Sequence, residues 1–119
     1  MRYTIIVLFF TLSLSVGAQD DAYTYKLYPT QNMWTFLKLD TSNGKIWQVQ
    51  FSVKSDEYQG EIPLNDRPLT YFGKNGRFEL YPTQNIYNFI LLDKDGGDCY
   101  QVQWNNKPEN RGIVPIKRY

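Results

Sequence analysis

The sequence predicts an all-β fold: a duplicated antiparallel meander with roughly four strands in each repeat. Three observations carry this. The hexapeptide Leu-Tyr-Pro-Thr-Gln-Asn stands unbroken at 27–32 and again at 80–85. Its flanks repeat at the same offset, so that Phe36 matches Phe89, Gly44 matches Gly97 and Gln48-Val49-Gln50 matches Gln101-Val102-Gln103. Within each copy, apolar and polar residues alternate with the period of a strand, and Asp, Asn and Gly cluster where tight turns are needed.

The chain of 119 residues opens on Arg2, an apolar run from Ile5 to Phe10, and small residues ending Val16-Gly17-Ala18. That order predicts a secretory signal peptide over 1–18, cleaved between Ala18 and Gln19. The run is too short and too diluted by Ser and Thr for a membrane span of about 20 residues. No Cys follows it to carry lipid. The mature chain, 19–119, is expected to be a single secreted or periplasmic domain built of repeats 23–64 and 76–116. Once Arg2 is lost, 12 basic residues balance 12 acidic ones.

In each repeat the first strand alternates, Tyr23 to Tyr28 and Arg77 to Tyr81. Tyr-Pro-Thr-Gln-Asn then interrupts pairing, because Pro has no N–H to give. Trp34 to Leu39 and Tyr87 to Leu92 are apolar on both faces, which suits a central, covered strand. Asp40 to Gly44 and Asp93 to Gly97 make the hairpin turns. The next strand places Trp47, Val49 and Phe51 on one face, with Tyr100, Val102 and Trp104 as their copies. These six are expected to form the shared core, with Gln48, Gln50, Gln101 and Gln103 on the opposite, solvated face. Short strands at 60–64 and 112–116 close each unit. The linker 65–75 is open to a further strand over Leu69 to Phe72. A pseudo-two-fold axis is expected between the copies, in either a small barrel or a two-sheet sandwich.

Composition limits the chemistry. A net charge of +1 disfavours a nucleic-acid binder held by bulk electrostatics, and 17% aromatic residues disfavour disorder. There is no histidine, so Ser–His–Asp and Cys–His nucleophiles are excluded, along with the usual zinc ligand. No catalytic residue, metal site or cofactor is expected. Asp93, Asp95 and Asp98 resemble a fragment of a calcium loop but lack its length and terminal Glu, so turn chemistry accounts for them better. Asp40 and Asp93 could serve a small acid-residue hydrolase only by facing each other across a cleft, and they are better read as the first residues of two turns. Cys99 aligns with the apolar Ile46 and is expected to be buried and inert.

Two sets of residues remain as ligand-binding candidates. The first is the repeated loop, where Tyr28 and Tyr81 offer ring faces and Gln31, Asn32, Gln84 and Asn85 offer planar amides, a combination suited to sugars. The competing role for this loop is a turn closed by its own Thr and Asn. The second is the row of four glutamines, which could line a polar groove or simply pair across strands.

The run 28–41 followed by Gly44-Lys-Ile-Trp-Gln-Val-Gln resembles a duplicated repeat found in small, uncharacterised secreted proteins of Bacteroidetes-type bacteria. The likeness covers most of the mature chain and implies export, but no activity and no site residue. The expected function is therefore a secreted, non-enzymatic interaction module for a polysaccharide or envelope protein. The alternative is a structural component that assembles through a sheet edge or an aromatic patch.

Overall fold

The computed structural model describes residues 23–54 and 56–119; the segment expected to be a signal peptide, with its expected cleavage site, lies outside them. The described residues form eight strands in two four-stranded antiparallel sheets. The first sheet runs β1 (Tyr25–Pro29), β2 (Thr35–Asp40), β3 (Ile46–Gln50) and β4 (Gly60–Pro63), each paired with the next. The second repeats the order with β5 (Phe78–Pro82), β6 (Asn88–Asp93), β7 (Cys99–Gln103) and β8 (Gly112–Pro115). The registers are copies: Tyr28 pairs with Leu37 as Tyr81 pairs with Ile90, and Phe36 with Val49 as Phe89 with Val102. The two open meanders form a sandwich rather than a closed barrel. The expected strand over 69–72 is absent. Leu69 instead donates its backbone N–H to Asn43 O and packs against the core, while Tyr71 and Phe72 stand in solvent.

Local chemistry explains why both repeats fold alike. Asp40 and Asp93 each start a hairpin, with Gly44 N and Gly97 N donating to the Asp40 and Asp93 carbonyls at 3.0 and 2.7 Å. Gly44 and Gly97 have φ of 81° and 82°, a left-handed backbone that glycine adopts without the Cβ penalty. Each Asp carboxylate then caps its own turn, Asp40 through Ser42 and Asp93 through the Asp95 and Gly96 N–H groups.

The sheets do not bury equivalent faces. Alternation divides each sheet into two sides. The first sheet buries Leu37, Leu39, Ile46 and Gln48, all fully inaccessible. The second buries Phe78, Leu80, Phe89, Leu91, Val102 and Trp104. In repeat position, Leu37 corresponds to Ile90 and Phe89 to Phe36, so the side buried in one repeat is the side left outside in the other. A two-fold axis between the sheets would have paired like with like. Here the repeats stack head to tail, the back of the first sheet on the front of the second.

This corrects the expected core. Val102 and Trp104 belong to it, and Tyr100 packs against it, but Trp47 and Val49 are only half-buried and Phe51 is exposed. The physical reason lies at one position. Lys38 occupies the place of Leu91, and an ammonium group cannot be buried where Leu91 sits fully enclosed without a large desolvation cost. The first sheet therefore turns its Leu and Ile side inward.

Candidate functional site

The Tyr-Pro-Thr-Gln-Asn segments form the same turn twice. Thr30 Oγ1 donates to Thr35 O at 2.7 Å and accepts from Asn32 N, while Asn32 Oδ1 accepts from Trp34 N at 2.8 Å. Thr83 and Asn85 repeat this, with Thr83 Oγ1 donating to Asn88 O at 2.8 Å and Asn85 Oδ1 accepting from Tyr87 N at 2.9 Å. The Thr hydroxyls and Asn carbonyls are thus committed to the backbone. Gln31 and Gln84 are not: both are exposed, and neither side chain makes a hydrogen bond among the described residues.

Head-to-tail stacking brings the two turns to the same end of the sandwich. Pro29, Thr30 and Gln31 from one and Pro82, Thr83 and Asn85 from the other line a single cleft of about 180 Å³. Ile86 and Phe89 give it an apolar wall. Asn88 also borders it, but its amide turns to Gln103 on the outer side of the second sheet. The sequence reading missed Ile86, Asn88 and Phe89, because they enter only when the loops come together across two sheets. Gln84 is not among the lining residues.

The two tyrosines part company. Tyr81 is exposed, but Tyr28 is buried, its hydroxyl donating to Glu79 at 3.0 Å and accepting from Leu80 N at 3.3 Å. Burial, with the neighbouring Glu79 charge, pushes the Tyr28 hydroxyl pKa well above its usual value. Burial also works against the Glu79 carboxylate, but hydrogen bonds from Lys26 and Tyr28 outweigh it and hold its pKa low. Tyr28 is a packing residue, and its ring face is not offered to a ligand.

The four glutamines likewise do not form one surface. Gln48 lies between the sheets, its Nε2 donating to Asn105 O at 3.1 Å and its Oε1 accepting from Asn105 N at 3.2 Å. Gln50 accepts from Thr35 Oγ1 and Gln48 Nε2. Gln101 and Gln103 instead line a groove of about 270 Å³ on the outer side of the second sheet, with Arg111 and Glu109 at its margin. The solvated glutamine face exists in the second repeat only.

The acidic candidates are engaged structurally. Arg77 holds Asp93 through two hydrogen bonds of 2.9 Å, which keeps the Asp93 pKa down at about 2. Asp98 pairs with Arg118 at 3.0 Å, and no cluster of metal ligands occurs among the described residues. Asp40 and Asp93 sit in separate turns, as expected. Cys99, expected to be buried, is half-exposed on the outer side of the second sheet, the side that its counterpart Ile46 turns inward.

An aromatic surface covers the outer side of the first sheet. Tyr25 and Trp47 meet edge to face at 6.3 Å, and Phe51 meets Trp34 at 5.1 Å and Phe36 at 6.2 Å. Lys38 lies over Trp47 at 4.7 Å and over Tyr25 at 5.3 Å, with Glu61 as its ion-pair partner. The sequence signal for this surface is the two-sided apolar character of β2.

No family model, no curated protein and no solved structure matches the chain. Among the described residues no helix is long and apolar enough to cross a membrane.

Proposed function

We propose that the protein is an exported, non-enzymatic binding module that takes a polysaccharide in the cleft between its two Tyr-Pro-Thr-Gln-Asn loops. The observation that carries this reading is the pairing of the loops. Two distant copies of one turn meet at one end of the sandwich and enclose a space with an apolar wall and amide groups at its rim. Sugar rings present apolar C–H faces together with hydroxyl donors and acceptors, and such a lining answers both. At about 180 Å³ the cleft is smaller than the roughly 300–1,000 Å³ of a site for a drug-sized ligand, which suits one ring of a longer chain passing over the end. Export is supported by the order Arg2, Ile5 to Phe10, Val16 and Ala18 in the leader.

A glycan array probed with the purified protein tests this directly, followed by titration of any glycan retained. Gln31→Ala is expected to weaken binding at least tenfold while its thermal melt stays that of the wild type. A folded protein that retains no glycan, or one whose binding is indifferent to Gln31, would overturn the proposal.

A further inference from the structure

Each repeat leaves uncovered the side that its sister buries. On the first sheet the open side carries Tyr25, Leu27, Phe36 and Phe51, the counterparts of Phe78, Leu80, Phe89 and Trp104 in the core. Tyr25 is 57% exposed and Phe78 1%. On the second sheet the open side carries Ile90, Leu92 and Cys99, where the first repeat encloses Leu37, Leu39 and Ile46 completely. The two surfaces that mate inside the chain are therefore both present, unmated, at its two outer sides. Tyr25, Leu27 and Phe51 are exposed and Phe36, Ile90, Leu92 and Cys99 half-buried; adjoining apolar side chains left open on a sheet face mark an interaction site.

We infer that a second copy of this chain seats on these surfaces, the outer side of its first sheet against the outer side of the second sheet of its neighbour. The polar groups that fix the internal packing recur at the right places. Gln101 stands where Gln48 grips the Asn105 backbone, and its side chain makes no hydrogen bond among the described residues. Its target on the neighbour is the carbonyl of Ser52, the counterpart of Asn105; the Ser52 N–H already donates to Gln59 Oε1 at 3.1 Å, so one of the two internal bonds is reproduced. Tyr81 stands where Tyr28 accepts from Leu80 N, and its target is Leu27 N on the β1 edge. Lys26 replaces Glu79 there, so the Tyr81 hydroxyl would accept from an ammonium rather than donate to a carboxylate. Lys38 in the place of Leu91 makes this contact weaker than the internal one, which suits reversible assembly between chains.

Such a contact is heterologous: it uses two different surfaces, so every added copy presents a new one. Four-stranded meanders stacked front to back are also how propeller blades pack, and with roughly four to eight blades needed for closure, two to four chains would complete a ring. Each new contact would also set the 81–85 loop of one copy beside the 28–32 loop of the next, repeating the cleft. The inference stands without the polysaccharide reading, since it concerns the sheet faces and not the loop ends.

The test is the solution mass of the exported protein by sedimentation, alone and in mixtures. Wild type is expected to associate as concentration rises, into a discrete species or a continuing series. Leu27→Glu blocks one surface and Val114→Glu the other; each should run as a monomer with a wild-type melt. Each variant keeps one intact surface, so an equimolar mixture should give a one-to-one dimer and nothing larger. Wild type that stays monomeric at every concentration would overturn the inference. So would blocked variants that form no dimer when mixed where wild type associates, since that pattern means like surfaces pair. If either variant fails to fold, Tyr25→Lys and Gln101→Lys repeat the same experiment from positions whose side chains are exposed.

Discussion

Gln48 and Gln101 occupy the same position in their repeats, and one is sealed between the sheets while the other faces solvent. Gln48 bonds the Asn105 backbone through both ends of its amide. Nothing in the immediate sequence, Trp-Gln-Val-Gln against Tyr-Gln-Val-Gln, separates them. The difference comes from stacking alone, and it makes the pair a direct probe of the arrangement. Replacing Gln48 by Ala leaves buried backbone groups without partners, at a cost of about 1–3 kcal/mol. Gln101→Ala should stay within about 0.5 kcal/mol of wild type in the monomer. Urea unfolding of the two variants reads the difference, and equal losses would mean that the sheets are stacked otherwise.

Trp104 and Phe51 make the second such pair. Trp104 is 1% exposed and its Nε1 donates to Ile86 O at 2.9 Å, whereas Phe51 is 37% exposed. Trp104→Ala should cost about 3–5 kcal/mol and unfold much of the population at physiological temperature. Phe51→Ala should cost well under half as much. Thermal melts followed by near-ultraviolet circular dichroism would show this ordering.

The Arg77–Asp93 pair predicts acid sensitivity. The Asp93 carboxyl pKa is lowered in the folded state to about 2, chiefly by the Arg77 hydrogen bonds, against a usual value near 4. A depressed folded pKa contributes stability that is fully present above the unfolded value and is lost as pH falls through the folded one. Stability should therefore drop between about pH 5 and pH 2. Asp93→Asn should flatten that slope and lower stability at neutral pH, where it leaves Arg77 without its main partner. The urea midpoint measured across this pH range checks both effects.

Tyr28 predicts the opposite limb. Its hydroxyl pKa is raised by burial in the folded state, so its contribution is intact below the unfolded value near 10 and is lost as pH climbs beyond it. Wild type should weaken above about pH 10, and Tyr28→Phe should blunt that loss. At neutral pH Tyr28→Phe removes the acceptor of Leu80 N and should cost about 1–3 kcal/mol, while Tyr81→Phe should be nearly silent in the monomer. Unfolding curves at neutral and alkaline pH distinguish the two tyrosines.

By itself the sequence determined what is local. The strands, their order and register, the hairpins at Asp40 and Asp93 and the repeated loop turn all follow from alternation, proline and glycine placement, and short-range side-chain bonds. These are set within a few residues, so two matched copies must fold alike. The tertiary structure decided how the faces mate. Lys38, on the Phe36 side of β2, marks in the sequence the side of the first sheet that stays out, but β6 carries no lysine on either side. Which side of the second sheet meets the first is settled between sheets, and alternation within one strand carries no record of it. The mating turned Gln48 inward and Gln101 outward, removed Trp47, Val49 and Phe51 from the core, and exposed Cys99. The same stacking made one cleft out of two loops, drawing in Ile86, Asn88 and Phe89. The two-sided apolar character of β2 and β6 was visible in the sequence, but a single pair of sheets covers only one side of each.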